Sequence, residues 1–211
     1  MRILYGTTNQ AKLESMKRIT NSLDLEIIGL HDLKQPIPKV DESGKSPLEN
    51  AELKARAYFN AFSMPVFSCD SGLYFEQVEE KYQPGPHIRR VNGKELSDEE
   101  MIEYYSNLAK MHDNQLLGRY RNAICLVLNE NTCFSSMDEV LSTEPFKLVS
   151  VAHPKRVKGY PLDSLSVDIH SGKYYYDMQE KSVDQSAIEQ GFTEFFQKVL
   201  SNIENGYEIG L

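Results

Sequence analysis

The first twelve residues, MRILYGTTNQAK, constrain the fold more than any other stretch of the chain. Arg2–Tyr5 reads as a short apolar strand that breaks at Gly6 into Thr7-Thr8-Asn9. Asn9 is a preferred helix cap, and Leu13, Met16 and Ile19 then recur at helical spacing. Such a strand–turn–helix gathers hydroxyls, the unpaired N–H groups of a helix start and Lys12 around a place where a phosphate chain would sit. A second polar cluster, Phe67–Leu73 (FSCDSGL), follows another apolar strand. Together the two clusters point to an enzyme acting on a phosphorylated small molecule. The same residues also serve as turn, cap and surface lysine, because GTTN is not the GxxxxGK[ST] phosphate loop.

The rest of the chain alternates strands with helices. Leu25–Leu30 is a strand candidate, and His31–Gly44 is a loop punctuated by proline and glycine that carries Asp41 and Glu42. Ser46-Pro47-Leu48-Glu49 has the form of a capping box with proline at the first helical position, opening a helix to about Ala61. Pro65–Asp70 is the next strand, turned by Ser71-Gly72, and Ser97–Glu100 caps a helix through about Met111. Asn122–Asn129 and Asn131–Leu141 pair across a short turn, Lys147–Ala152 adds a strand, and His153–Ser164 is broken by glycine and proline. Ser182 and Gln185 can cap a last helix bearing Ile188, Phe192, Phe195, Val199 and Leu200. The pattern predicts an α/β fold, and its hairpin-like centre predicts a mixed sheet.

At 211 residues the chain can build one substantial core with a smaller lobe. A net charge of −8 disfavours a broad electrostatic grip on nucleic acid, yet one local basic pocket still holds a triphosphate. Cys69, Cys125 and Cys133 form no CxxC pair and read as reduced thiols of a cytoplasmic protein. No signal peptide and no membrane-length apolar run are visible, and the five histidines are scattered without zinc-site spacing.

Cleaving a phosphoanhydride requires its negative charge to be neutralised, and Mg²⁺ takes oxygen ligands. Glu49 at a helix start and Asp70 closing a strand are the acids best placed for such an ion, although Glu49 already has a capping role. Lys54 either faces the same cleft or snorkels from a surface helix. Arg89-Arg90 and Arg119 with Arg121 are further cations, and Tyr160 and Asp163 suit a stacked base or an anchored loop.

Taken together, these segments resemble the inosine/xanthosine triphosphatase family, pyrophosphatases of noncanonical purine nucleoside triphosphates. Thr7-Thr8-Asn9 with Lys12 is similar to the family's opening T-x-N-x-x-K. Leu48-Glu49-Asn50-Ala51 with Lys54 and Ala55 resembles its E-N-A-x-x-K-A helix. Asp70-Ser71-Gly72-Leu73 is similar to its D-D-S-G-L, with Cys69 in place of the first aspartate. Pro84-Gly85 followed by Arg89 resembles P-G-x-x-S-A-R. Gly159–Leu165 stands where the family has G-F-G-Y-D-P, which puts Tyr160 on the stacking aromatic and Asp163 on the base-facing acid. Lys181 falls on a base-contacting lysine, and Asp184-Gln185 replaces the family's His-Arg.

The resemblance implies a long twisted mixed sheet flanked by helices, split by a central cleft into two lobes of one domain, 1–211. It implies hydrolysis of a nucleoside triphosphate to the monophosphate and pyrophosphate, with Mg²⁺ or Mn²⁺ as cofactor and a homodimer as assembly. Thr7, Thr8, Asn9 and Lys12 would hold the phosphates, and Ser71, Gly72 and Arg89 would also bind the substrate. Tyr160, Asp163, Lys181 and Gln185 would lie at the base, and Asp70, Glu49 and Lys54 would carry catalysis. A nucleotide-binding protein that does not cut its ligand, or a phosphatase of another nucleotide preference, are the alternatives.

Overall fold

Strand β1 (Arg2–Tyr5) buries Ile3, Leu4 and Tyr5 in succession, so apolar side chains leave it on both faces. A strand of that kind needs cover above and below, and helices supply it. The structure, a computed structural model, describes residues 1–76, 78–178 and 185–205. Helix α1 (Gln10–Ile19) starts where Asn9 accepts from the Lys12 amide, and its Leu13 and Met16 pack with Ile3 and Tyr5. Strand β2 (Glu26–Gly29) lies parallel to β1. Helix α2 (Pro47–Phe62) is opened by Ser46, whose hydroxyl accepts from the Glu49 amide, and it sets Tyr58 against Leu4 on the other face. Strand β3 (Val66–Phe75) runs parallel to β1.

Two short strands, β4 (Arg90–Val91) and β5 (Lys94–Glu95), form a hairpin over Asn92-Gly93, both in the left-handed region as such a two-residue turn requires. Helix α3 (Asp98–Met111) has the full reciprocal box between Ser97 and Glu100. Strand β6 (Leu116–Val127) pairs antiparallel with β7 (Cys133–Ser136) and β8 (Phe146–Leu148), and β8 pairs with β9 (Ser166–Asp168). Helix α4 (Gln185–Glu204) completes the described chain. The strand order is β2-β1-β3-β6-β8-β9, with β7 also on β6. The expected mixed sheet with flanking helices is the fold observed.

The chain divides into two compact units. The first comprises Met1–Ser71, Asn122–Leu141 and α4 from Ser186. Its core on one sheet face joins Ile3, Tyr5 and Phe67 to Phe192, Phe196 and Val199 of α4. On the other face a stripe of Ala51 and Ala55 lets α2 approach Ala123, Cys125 and Val127 closely. The second unit comprises Gly72–Arg121 and the segment from Ser142. There Met101, Ile102 and Tyr105 of α3 pack with Phe75, Phe146 and Leu162. Gly118 is required in this unit, because a Cβ there would stand 2.9 Å from both Phe75 and Phe146.

Several boundaries depart from the sequence reading. β3 does not turn at Ser71-Gly72 but continues to Phe75, whose backbone amide and carbonyl are both bonded by the side chain of Gln83. The strand expected at Lys147–Ala152 is β8, ending at Leu148, and β9 was not foreseen. The partner of β6 ends at Ser136, followed by a 3₁₀ turn at Glu139–Leu141. At α2 the capping box is not reciprocal: Glu49 accepts from the Lys45 amide at 2.7 Å, one residue upstream of the cap. Ser182 lies outside the described residues.

Candidate active site

β1 ends at Tyr5, level with Phe67, so β3 runs on past it through Ser68, Cys69 and Asp70. The chain leaving β1 folds over that extension. Gly6 donates its amide to the Phe67 carbonyl, and the Ser68 hydroxyl donates to the Gly6 carbonyl. A Cβ at Gly6 would stand 2.2 Å from the Ser68 hydroxyl and 2.6 Å from the Tyr58 ring, so only glycine lets the turn lie this close. Thr7 accepts from the Asn9 amide, and Asn9 caps α1. The hydroxyl proton of Thr7 and the side-chain NH2 of Asn9 can still donate, beside the exposed Thr8 and Lys12.

Alternation along β3 sends Val66 and Asp70 toward α2 and Phe67 and Cys69 toward the opposite face. Asp70 is clamped there. Its Oδ1 accepts from Lys54 at 3.0 Å and its Oδ2 from Asn50 at 3.0 Å. Asn50 is buried and uses its own carbonyl on the Gly44 amide at 2.8 Å. A Cβ on Gly44 would stand 2.7 Å from that Asn50 oxygen, which fixes glycine at the loop end. Lys54 also donates to Glu42 at 3.1 Å, so two carboxylates share one ammonium. Burial works against the charge on Lys54, but Asp70 and then Glu42 outweigh it and hold its pKa above the usual lysine value.

Cys69 sits on the opposite side of β3. Burial pushes its thiol up to about 11, against the pull of the Tyr5 hydroxyl, Lys12 and Lys54. Lys54 and Asp70 meet on the other side of that stretch of β3. Cys69 presents a protonated thiol hydrogen-bonded to Tyr5 where the resembling family has an acid.

The structure therefore brings Asp70 and Lys54 together and adds Asn50 and Glu42, which sequence reasoning passed over as site residues. Asn50 stood inside the quoted helix motif, and Glu42 inside the loop noted as acidic. Glu49 occupies the first turn of α2, bonded to Lys45 and not to Asp70. Ser71 donates to Asn122 at 2.6 Å, and Asn122 donates to the Leu141 carbonyl. Gly72 belongs to the second unit, within β3. Arg89, in that unit, pairs with Asp98 at 2.6 Å and reaches the Gly159 carbonyl at 3.3 Å, which braces the start of α3. Tyr160 is 57% exposed beside the 3₁₀ turn Pro161–Ser164 that carries Asp163. Lys181 and Asp184 lie outside the described residues; Gln185 is the first residue of α4.

Mg²⁺ takes one or two carboxylates and completes its shell with phosphate and water oxygens. Asp70 and Glu42 are hard-oxygen donors, and both are paired with the Lys54 ammonium. Among the described residues no group of three His, Cys, Asp or Glu forms a cage of protein ligands alone.

Fold and cluster together define an α/β protein with a charged site beyond the carboxyl end of a parallel strand, the usual position for ligands in open sheets. The Ham1 family profile matches residues 3–142, and the chain belongs to that family. It is 32% identical over 127 residues to the dITP/XTP pyrophosphatase of Oceanobacillus iheyensis, covering 60% of this chain and 62% of that one. With the dITP/XTP pyrophosphatase of Geobacter sulfurreducens the identity is 34% over 98 residues, 46% of this chain and 48% of the other. The chain thus spans less than two thirds of the length of these relatives. In fold it is similar to the Staphylococcus aureus Ham1 protein, with a TM-score of 0.73 and 20% identity over 94% of this chain and 99% of that one. A HAM1 protein from Coxiella burnetii gives 0.74 and 18% over the same shares.

Proposed function

We propose that the protein hydrolyses nucleoside triphosphates of the noncanonical purine class to the monophosphate and pyrophosphate. The observation that carries this reading is Asp70, a carboxylate fixed by Lys54 and Asn50 three residues beyond Phe67, whose carbonyl accepts from the Gly6 amide of the turn before α1. The dITP/XTP pyrophosphatase names of the relatives support the substrate class.

In this reading the first amides of α1, the Thr7 and Thr8 hydroxyls, the Asn9 amide and Lys12 receive the phosphate oxygens. Asp70 accepts a hydrogen bond from the attacking water and takes its proton as the new phosphorus–oxygen bond forms at the α-phosphate. Pyrophosphate leaves as the α–β bridge breaks. Asn50 and Lys54 keep the carboxylate at one angle throughout. Asp70, with Glu42 on the same Lys54 ammonium, would hold Mg²⁺, which when bound would neutralise phosphate charge, while Glu49 stays on the Lys45 amide at the start of α2. The resemblance gives the base to Tyr160, Asp163 and Lys181. The family's arginine at position 185 is a glutamine here, with fewer donors toward a 6-oxo purine. A homodimer is proposed on the same resemblance.

The test is the purified chain incubated with Mg²⁺ or Mn²⁺ and a panel of ordinary and deaminated nucleoside triphosphates, with products resolved by ion chromatography. Monophosphate and pyrophosphate from inosine, deoxyinosine or xanthosine triphosphate are expected. Release of orthophosphate alone, or binding with no turnover, overturns the proposal.

A further inference from the structure

Strands β6 and β7 carry a pair of thiols that the nucleotide chemistry does not use. The Sγ atoms of Cys125 and Cys133 lie 3.3 Å apart. In the antiparallel register Cys125 stands opposite Ser135 and Cys133 opposite Val127, so the two cysteines are diagonal neighbours on one face. That face is the one covered by α2: both thiols pack in the cluster built around Ala51 and Ala55. Cys125 is fully buried, whereas Cys133 is only partly buried.

The two sulphurs are electrostatically unequal. The bond to Cys133 and burial push the Cys125 thiol up, so it keeps its proton. Cys133 is held below the usual thiol value, first by its contact with the Cys125 sulphur and then, against the effect of burial, by the Arg56 guanidinium. The sulphur of the less buried residue, Cys133, thus has the greater thiolate character, and thiolate is the reactive form.

We propose that Cys133 and Cys125 are a modification site, a hydroperoxide-reactive pair that closes to an intrachain disulfide across β6 and β7. The Cys133 thiolate attacks one oxygen of hydrogen peroxide; the S–O bond forms, the O–O bond breaks, and hydroxide leaves to become water with the proton Cys133 gave up. The Cys125 sulphur then attacks the sulfenic sulphur. The S–S bond forms, the S–O bond breaks, and the departing hydroxide takes the Cys125 proton as a second water. Two thiols are oxidised by two electrons and one peroxide is reduced. The sulphurs must approach to about 2.05 Å. β7 has only four residues and, among the described strands, pairs with β6 alone, so it can move. Because the pair packs under Ala51 and Ala55, closure also alters the seat of the helix that carries Asn50 and Lys54.

The test is titration of the reduced full chain with hydrogen peroxide. Two of the three thiols should be lost, with a Cys125–Cys133 cross-link in the peptide map of the monomer and Cys69 still free. Dithiothreitol should restore all three. In Cys125→Ser the reaction should stop at a sulfenic acid on Cys133, captured by dimedone; Cys133→Ser should lose no buried thiol. Amide exchange in α2 should differ between reduced and oxidised protein. Three surviving thiols, earlier loss of Cys69, or a disulfide joining two chains overturns the proposal. Unchanged exchange in α2 overturns its coupling to that helix. Should Cys125→Ser fail to fold, the wild-type peptide map decides.

Discussion

Asn50 ties two parts of the first unit together: its carbonyl holds the Gly44 amide, and its amide group holds Asp70. Because the side chain is buried, Asn50→Ala strands a loop amide and costs about 1–3 kcal/mol, measurable by urea denaturation. The same change frees Asp70 to rotate, so turnover should also fall while substrate affinity changes less. Asp70→Asn tests the carboxylate itself. It keeps the shape, loses the proton acceptor, and is expected to lower turnover by about 10²-fold or more; because an amide offers one oxygen to Lys54 and Asn50 where the carboxylate offers two, the unfolding midpoint should fall as well. Near-normal hydrolysis by this variant rules out its role. Lys54 and Asp70 could be named from sequence because lysine and aspartate announce chemistry. Asn50 and Glu42 could not, because their importance lies in what they touch across gaps of 20 and 12 residues.

Among the elements, helix starts were the most legible. Ser97 with Glu100 closes a complete box, and α3 ends at the residue the spacing gave. Lys94 and then the Ser97 amide and hydroxyl bring the Glu100 pKa down to about 2 from an ordinary 4.5. A carboxylate lowered on folding stabilises above its unfolded value and loses that contribution as pH falls through its folded one. The stability difference between wild type and Glu100→Gln should therefore be full above about 4.5 and vanish near 2, as read from unfolding curves at stepped pH. Strand ends were harder to read. Ser71-Gly72 looks like a turn, yet β3 passes through it because Leu73 bridges Gly85 and Gln83 satisfies Phe75. The Asn92-Gly93 hairpin carried a readable signal that went unused. β9, three residues long, is held by pairing with β8, which no local pattern encodes.

Across the whole molecule, the α/β class and the mixed sheet followed from alternation and from the central hairpin. Two lobes were an expectation of the resemblance, and the non-contiguous segments that make up each compact unit have no local signal, since they depend on which distant surfaces meet. Phe196 shows the difference. Phe192 and Phe195 were expected on the apolar face of α4, yet Phe196 is the fully buried one, edge-on to Phe67 with ring centroids 5.1 Å apart. Phe196→Ala should cost about 3–5 kcal/mol and loosen β1 and β3 with it, seen as a lower melting temperature and faster exchange of the β1 amides. No described helix is long and apolar enough to cross a membrane.

The dependence of β1 on α4 also sets a timetable. Ile3 and Tyr5 leave the ribosome early, but the aromatic wall that shelters them is absent until Phe192 and Phe196 have been translated. Until then a nascent β1 has Leu13 and Met16 of α1 against that side but not the aromatic wall, and chaperones have their longest opportunity to engage it. Maturation of this unit is accordingly a late event, governed by contacts of high sequence separation rather than by local helix formation.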